Sequence, residues 1–411
     1  MTPHGHGARA RPPILLLVAV SAVSPLALNI FLPSLPRIGT SFGVSYAVVQ
    51  LLLSLYLAAL ALAQLVIGTL SDRFGRRPVL LAGLALFLLG SLACALARDF
   101  TVLLLGRMVQ AVGGCAGLVL SRAMVRDLFE RERAASMIGY VTMGMAVVPM
   151  VAPAVGGFLD EGFGWRSSFW LLVGVGALML ALVALRLGET RRAGGEPGGL
   201  LRGLPALLGS LPFWAYALTA AFASAMFFAF IAGGPYVMAE ILGRGPSEYG
   251  LWAMAVSGGY ILGNFFSGRY AMRFGVRRMI RMGNALCLAA VALMFLLLGV
   301  GLHHPATLFG PMFVVAMGNG VSLPSAIAGA VSVRPDLAGA AAGLAGTLQV
   351  GMGALVASAV GALLDRTAWP LAAAMLAGAC LAVLSFALAP SVRAERTAAQ
   401  QQRKPFRPPA P

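Results

Sequence analysis

The densest chemistry in the chain is the stretch Gly68-Thr-Leu-Ser-Asp72-Arg73-Phe-Gly75-Arg76-Arg77-Pro78. It sets one carboxylate beside three guanidiniums, between apolar runs at 48–70 and 79–97. Asp72 can accept charge-assisted hydrogen bonds from Arg76, one turn on. It can instead face the positive N-terminus of another helix. Neither arrangement places a nucleophile beside a base. Either gives a reversible ion pair, able to bias a conformational equilibrium by about a few kcal/mol at most. The alternative is an ordinary basic loop.

Arg107 is the one basic residue more than three residues from either end of an apolar run. A guanidinium at the centre of a bilayer costs about 2.5–3.5 kcal/mol, so it must face a cavity or a partner unless it snorkels to the nearer surface. Gln110 shares its helix face at i+3.

All fourteen acids can be placed, and none falls in the middle of an apolar run. A proton-driven carrier needs a buried acid that loads and releases a proton. Glu240 and Asp160, near the ends of apolar runs, are the replacements at hand, and each also reads as a solvated loop acid. The polar residues inside the runs include Asn29, Tyr56, Gln50, Asn319 and Gln349. Phe227 sits in an aromatic run that suits either an apolar substrate or lipid.

There is no G-x-S-x-G elbow and no phosphate-cradling Walker sequence, so no catalytic site and no direct use of ATP is expected. Cys94, Cys115, Cys287 and Cys380 lie in apolar runs without metal or disulfide spacing. No cofactor and no metal site is expected. His303 and His304 stand in a loop.

The elements that must carry these residues follow from composition. The chain has 411 residues, 59% hydrophobic and 11% charged, where a soluble protein carries about 25% charged. Runs of about 20 apolar residues cross a bilayer as helices. Twelve are expected: 14–33, 48–70, 79–97, 101–121, 135–158 and 169–187, then 213–236, 249–270, 279–302, 307–329, 337–364 and 369–390. With the N-terminus placed in the cytoplasm, 24 of the 30 Lys and Arg fall in cytoplasmic segments and five in outer loops. That bias predicts both termini inside. It also accounts for the +16 charge without nucleic acid.

The expected organisation is a cytoplasmic tail at 1–13, a six-helix half at 14–187 and a cytoplasmic loop at 188–211. A second six-helix half at 212–390 and a tail at 391–411 complete it. The halves echo each other. Gly263-Asn-Phe-Phe-Ser-Gly268-Arg269-Tyr-Ala-Met-Arg273-Phe-Gly275-Val-Arg277-Arg278 repeats the opening motif without its acid. Repeated halves predict a secondary transporter with a central site at their interface.

On these residues the chain resembles the major facilitator superfamily. Within it the chain resembles the twelve-span drug:proton antiporters of the bicyclomycin and chloramphenicol resistance (Bcr/CflA) branch. The carriers of the resemblance are the Gly68–Arg77 motif, Leu32-Pro33-x-Leu35-Pro36, Leu53-Ser54-Leu55-Tyr56, Arg122-x3-Arg126-Asp127, Ala152-Pro153-x2-Gly156-Gly157 and Trp165-Arg166-x2-Phe169. The resemblance spans 14–390.

It implies an all-α membrane protein of the major facilitator fold, with twelve transmembrane helices in two pseudo-symmetric halves. It implies a conformational latch at Gly68, Asp72, Arg73, Gly75, Arg76, Arg77, Arg126 and Asp127, with Gly68 and Gly75 allowing close helix approach and a tight turn. It implies a substrate or proton pathway through Asn29, Tyr56, Arg107, Gln110, Phe227, Glu240, Asn319 and Gln349. It names Gly144, Pro149, Pro153, Gly156 and Gly157 as an antiporter-motif helix facing the opposite half. Asn29 stands where many relatives have Asp, and an amide carries no proton.

The expected function is alternating-access export of small amphipathic or apolar compounds, including antibiotics, in exchange for protons. The expected partners are a small-molecule substrate, protons and the bilayer of a bacterial inner membrane, with the chain a monomer. A metabolite exporter or facilitator of the same fold is the alternative. A non-transporting receptor or scaffold is a third.

Overall fold

The computed structural model describes residues 14–128, 131–190, 205–301, 304–334, 337–364 and 367–389. The side chains of 126, 131–136, 138–140, 142–144, 146 and 338–339 lie outside this description. The first half runs through α1 (Ile14–Asn29), α2 (Leu35–Phe42), α3 (Tyr46–Val49), α4 (Leu51–Phe74), α5 (Arg76–Leu96), α6 (Phe100–Leu128), α7 (Arg131–Phe163) and α8 (Arg166–Arg186). The second half runs through α9 (Leu211–Tyr236), α10 (Pro246–Phe274), α11 (Val276–Gly299), α12 (Pro305–Ser332), α13 (Ala338–Leu363) and α14 (Trp369–Ala387).

Among the described residues, ten crossings are long and apolar enough to span a membrane, with Ile14–Phe42 and Tyr46–Phe74 each counted as one. α7 and α10, of 33 and 29 residues, are as long and complete two sets of six. The first crossing does not stop at Pro33 as its apolar run predicts. A short 3-10 turn, Leu32–Ser34, takes Pro33 in its first positions, and Pro36 opens α2 in the same way. Proline is tolerated there because the N–H it lacks has no helical partner anyway.

The repeat visible in the sequence is a repeat of conformation. Gly75, between α4 and α5, has φ 100 and ψ 156. Gly275, between α10 and α11, has φ 76 and ψ 157. Only glycine adopts this backbone without strain. The two joints mark one end of the molecule, the joint end; the opposite end is the far end.

Inside each half, small residues bring backbones together. A Cβ on Gly113 of α6 would lie 2.3 Å from the Phe87 nitrogen of α5, and one on Gly90 would lie 2.5 Å from the Gln110 nitrogen. In the second half, a Cβ on Gly283 of α11 would lie 2.5 Å from the Gly318 carbonyl of α12. Without a hydrophobic driving force between helices in lipid, such approach supplies the packing that holds a bundle together.

Candidate functional site

Three groups of residues invite a functional reading, and the joint of the first half is one. Arg76, at the start of α5, is 2.6 Å from Asp72 of α4 and 3.0 Å from Asp127 of α6. It also donates to the Ser71 hydroxyl. One guanidinium therefore ties three helices, as its fixed fork permits. Arg77 donates to the Ala184 carbonyl at 2.8 Å, bringing in α8.

Glu189, just past α8, accepts from the Arg76 and Arg77 backbone N–H groups at 3.0 and 3.2 Å. It is an anion on the N-terminus of α5, where the helix dipole favours negative charge. Sequence reading placed Glu189 in a loop, and no spacing announced this cap. A Cβ on Gly75 would lie 2.6 Å from its Oε2, so glycine is required there for space as well as for φ. Gly68 does not serve the close approach expected of it. Nothing lies within 4 Å of where its Cβ would be, because no neighbouring helix reaches that face of α4. Arg73 lies over the Phe74 ring at 5.3 Å. The side chain of Arg126 lies outside the described residues.

The second group surrounds Arg107, whose exposure is 0%. Its guanidinium carbon lies 4.0 Å from the Phe31 ring centroid and 4.2 Å from that of Tyr56. Two aromatic faces thus sandwich the cation in place of water. Nη1 donates to the Ala27 carbonyl at 3.0 Å and to Gln110 Oε1. Gln110 in turn donates to the Ser91 hydroxyl at 2.7 Å, and Tyr56 Oη sits 3.2 Å from the Ser24 hydroxyl. Nε and Nη2 have no hydrogen-bond partner. The structure thus brings Arg107, Gln110 and Tyr56 together and adds Phe31, Ser24 and Ser91. No short-range signal pairs these with Arg107.

The remaining pathway residues are dispersed. Asn29 spends its amide on the Pro25 carbonyl of its own helix, at 2.8 Å. It lines a small cleft between the halves with Phe227, Pro149 and Pro153. Asn319 donates to the Ala223 carbonyl at 2.9 Å, and Gln349 accepts from the Ser224 hydroxyl at 3.0 Å. Their polar atoms tie α12 and α13 to α9. Glu240 does not lie on an interior pathway. It sits exposed in the π turn Val237–Ile241 that ends α9, where the helix has already reached the surface.

The third group is the seam between the halves at the far end. Tyr46 and Gln50 both donate to the Ala232 carbonyl of α9, at 2.7 and 2.5 Å. Glu161 of α7 accepts from the Ser247 backbone N–H and hydroxyl of α10, at 3.0 and 2.8 Å. Between these, α7 and α10 cross backbone to backbone. A Cβ on Gly157 would lie 2.4 Å from the Pro246 carbonyl, and one on Gly250 would lie 2.5 Å from that of Pro153. Gly156 faces the other way, 1.7 Å on the same measure from the Ile30 carbonyl just past α1. The adjacent glycines thus serve two different partners. Gly144 lies outside the residues described in this way.

These features have parallels among known proteins. The family model described as Major Facilitator Superfamily matches residues 17–237 and again 216–411. A Bacillus subtilis protein named uncharacterized MFS-type transporter YdgK is 34% identical over 379 residues, 90% of this chain and 93% of that protein. Multidrug resistance protein D of Escherichia coli is 31% identical, covering 86% of this chain and 89% of that protein. A chloramphenicol resistance protein of Pseudomonas aeruginosa is 31% identical, covering 87% and 85%. Among solved structures, an inward-facing bacterial homolog of the human lysosomal transporter Spinster superposes with a TM-score of 0.74 at 19% identity, covering 96% of this chain and 98% of that one. A D-xylose-proton symporter superposes with a TM-score of 0.72 at 14% identity, covering 92% and 97%.

Proposed function

The chain belongs to the major facilitator superfamily, and from that premise we propose that it exports small amphipathic or apolar compounds, antibiotics among them, in exchange for protons. A member of this family is a transporter rather than an enzyme. The drug-resistance names of the relatives from Escherichia coli and Pseudomonas aeruginosa support the substrate class and the bicyclomycin and chloramphenicol resistance branch. The Arg distribution supports a bacterial inner-membrane orientation with the joint end and both termini in the cytoplasm.

The observation that carries this reading is the far-end seam. It consists of glycine-to-backbone contacts at the α7–α10 crossing, a few hydrogen bonds and one ring contact between Tyr46 and Tyr236 at 4.6 Å. Surfaces of this kind slide and part at low cost, while each half stays fused through its own glycine crossings. Alternating access needs that combination. In this reading the structure is closed toward the outside, and the Arg76 network is the latch of the cytoplasmic side. The substrate would enter between the halves, beside Asn29 and Phe227, and Arg107 would act from the core of the first half.

One elementary charge moving through 100 mV supplies about 2.3 kcal/mol. Each pH unit adds about 1.4 kcal/mol. Export of chloramphenicol into inverted vesicles from an efflux-deficient host is expected to collapse with an uncoupler. Efflux that continues unchanged would remove proton exchange. The same panel with Arg107→Ala tests the site. A facilitator of a metabolite is the second reading, favoured by Asn29, whose amide is committed to Pro25 and carries no proton.

A further inference from the structure

Asp160 is the buried acid of the far end. Its side chain is 0% exposed, and neither carboxylate oxygen has a hydrogen-bond partner. Its one facing cation is Arg37 of α2, 3.6 Å away and 50% exposed. Arg37 directs its hydrogen bond to the Asp160 backbone carbonyl, at 3.2 Å, and so leaves the carboxylate unserved. The Ser34 hydroxyl, also buried, has no partner either. A buried carboxylate without donors is penalised as an anion and accommodated as an acid.

The place matters as much as the burial. Asp160 sits between Gly157, packed on Pro246, and Glu161, bonded to Ser247. Both contacts belong to the seam between the halves. The 3-10 turn that holds Ser34 also touches α9 and α10 of the second half. Parting the halves at this end strips cover from the carboxylate.

We propose that Asp160 is a proton-binding group, holding its proton when the far end is closed and releasing it when the far end opens. The proposal rests on the alternating-access reading above and makes the outer seam sensitive to external pH. A group that keeps its proton while the far end is closed does not deliver it to the cytoplasm, so Asp160 gates the far end and is not the coupling site of the exchange. The state that buries Asp160 binds the proton more tightly, so acidification favours the closed far end.

The neighbouring charges leave one competitor. Glu161 accepts from Ser247 as a carboxylate, so its protonation would loosen the seam and open the far end on acidification. Arg244, just before α10, pairs with Glu248 in its first turn at 3.6 Å. Arg166, at the start of α8, donates to the Ala97 carbonyl. The two adjacent acids thus predict opposite signs.

Spin labels at Thr101→Cys and Thr367→Cys, both exposed at the far end of opposite halves, report the gap in lipid nanodiscs without any substrate. Cys380→Ser removes the one native thiol that is not buried. Between pH 5 and 9 the short-distance population is expected to rise as pH falls, by at most about tenfold per pH unit for one proton. Asp160→Asn, which mimics the protonated acid, is expected to stay short throughout. Asp160→Glu is expected to keep the transition at a shifted midpoint.

A wild-type response retained in Asp160→Asn would overturn the proposal. So would a far end that opens on acidification, or a wild-type gap indifferent to pH. Two populations that ignore Asp160 sink this proposal alone. A single distance under every condition, Glu161→Ala included, sinks the alternating-access reading itself.

Discussion

Glu161 of α7 accepts two hydrogen bonds from Ser247 of α10, one from the backbone N–H and one from the hydroxyl. Pro246 opens α10, so the carboxylate caps the first turn of a helix that belongs to the other half. Helix-dipole and hydrogen-bond terms act here in the same direction. The pair is exposed, so its worth is about 0.5–1.5 kcal/mol. Glu161→Ala is therefore expected to shift the far-end equilibrium toward open by about two- to tenfold. The Thr101/Thr367 label pair measures it, and Ser247→Ala is expected to give a smaller shift because the backbone N–H remains.

Arg107 separates stability from function. A buried charge contributes little net stability, and replacing it with an apolar residue of similar volume is often neutral or stabilising by about 1–4 kcal/mol. Arg107→Met is expected to keep or raise the melting temperature in detergent while reducing transport at least about tenfold. Arg107→Lys keeps the charge but not the planar fork between Phe31 and Tyr56, and it too is expected to lose transport. Normal transport in Arg107→Met would reduce the residue to a packing element.

Gly156 and Gly157 are neighbours with different expected phenotypes. A methyl group on Gly156 collides with the Ile30 carbonyl inside the first half. Gly156→Ala is expected to lower thermal stability by about 1–3 kcal/mol, the cost of forcing backbones apart in a packed core. A methyl group on Gly157 collides with Pro246 across the seam. Gly157→Ala is expected to leave the melting temperature nearly unchanged and to populate the open far end. Melting curves and label distances for the two variants decide the matter.

The two joint glycines differ in a comparable way. Gly275→Ala meets open space and bears backbone strain alone, of about 1–3 kcal/mol. Gly75→Ala bears the same strain and displaces the Glu189 cap as well. It is expected to be the less stable of the two in parallel thermal unfolding. Glu189→Ala in the same background is expected to relieve part of the difference.

Much of the fold was legible before any coordinates. The Gly75 and Gly275 joints could be matched by spacing because positive φ with extended ψ selects glycine in any tertiary setting. The Asp72–Arg76 pair was legible because one helical turn brings such residues together. Asp127 as a partner of Arg76 came from the family motif. Glu189 was not legible, since a cap contributed from beyond α8 has no sequence relation to the turn it caps. The choice between a pathway acid and a solvated loop acid at Glu240 was not legible, because the end of an apolar run does not say whether a side chain turns inward or outward; in the structure it is exposed.

The sequence by itself determined the membrane crossings, their pairing into two halves and the family. Partition of a 20-residue apolar run into lipid is a local free energy, set by composition and length. Only the tertiary structure decided that Arg107 lies between Phe31 and Tyr56, that Glu161 reaches Ser247 and that Asp160 is buried without a donor. Those relations depend on how helices cross and rotate against one another. Backbone contacts at glycines fix that geometry, and hydrophobic patterning does not record it.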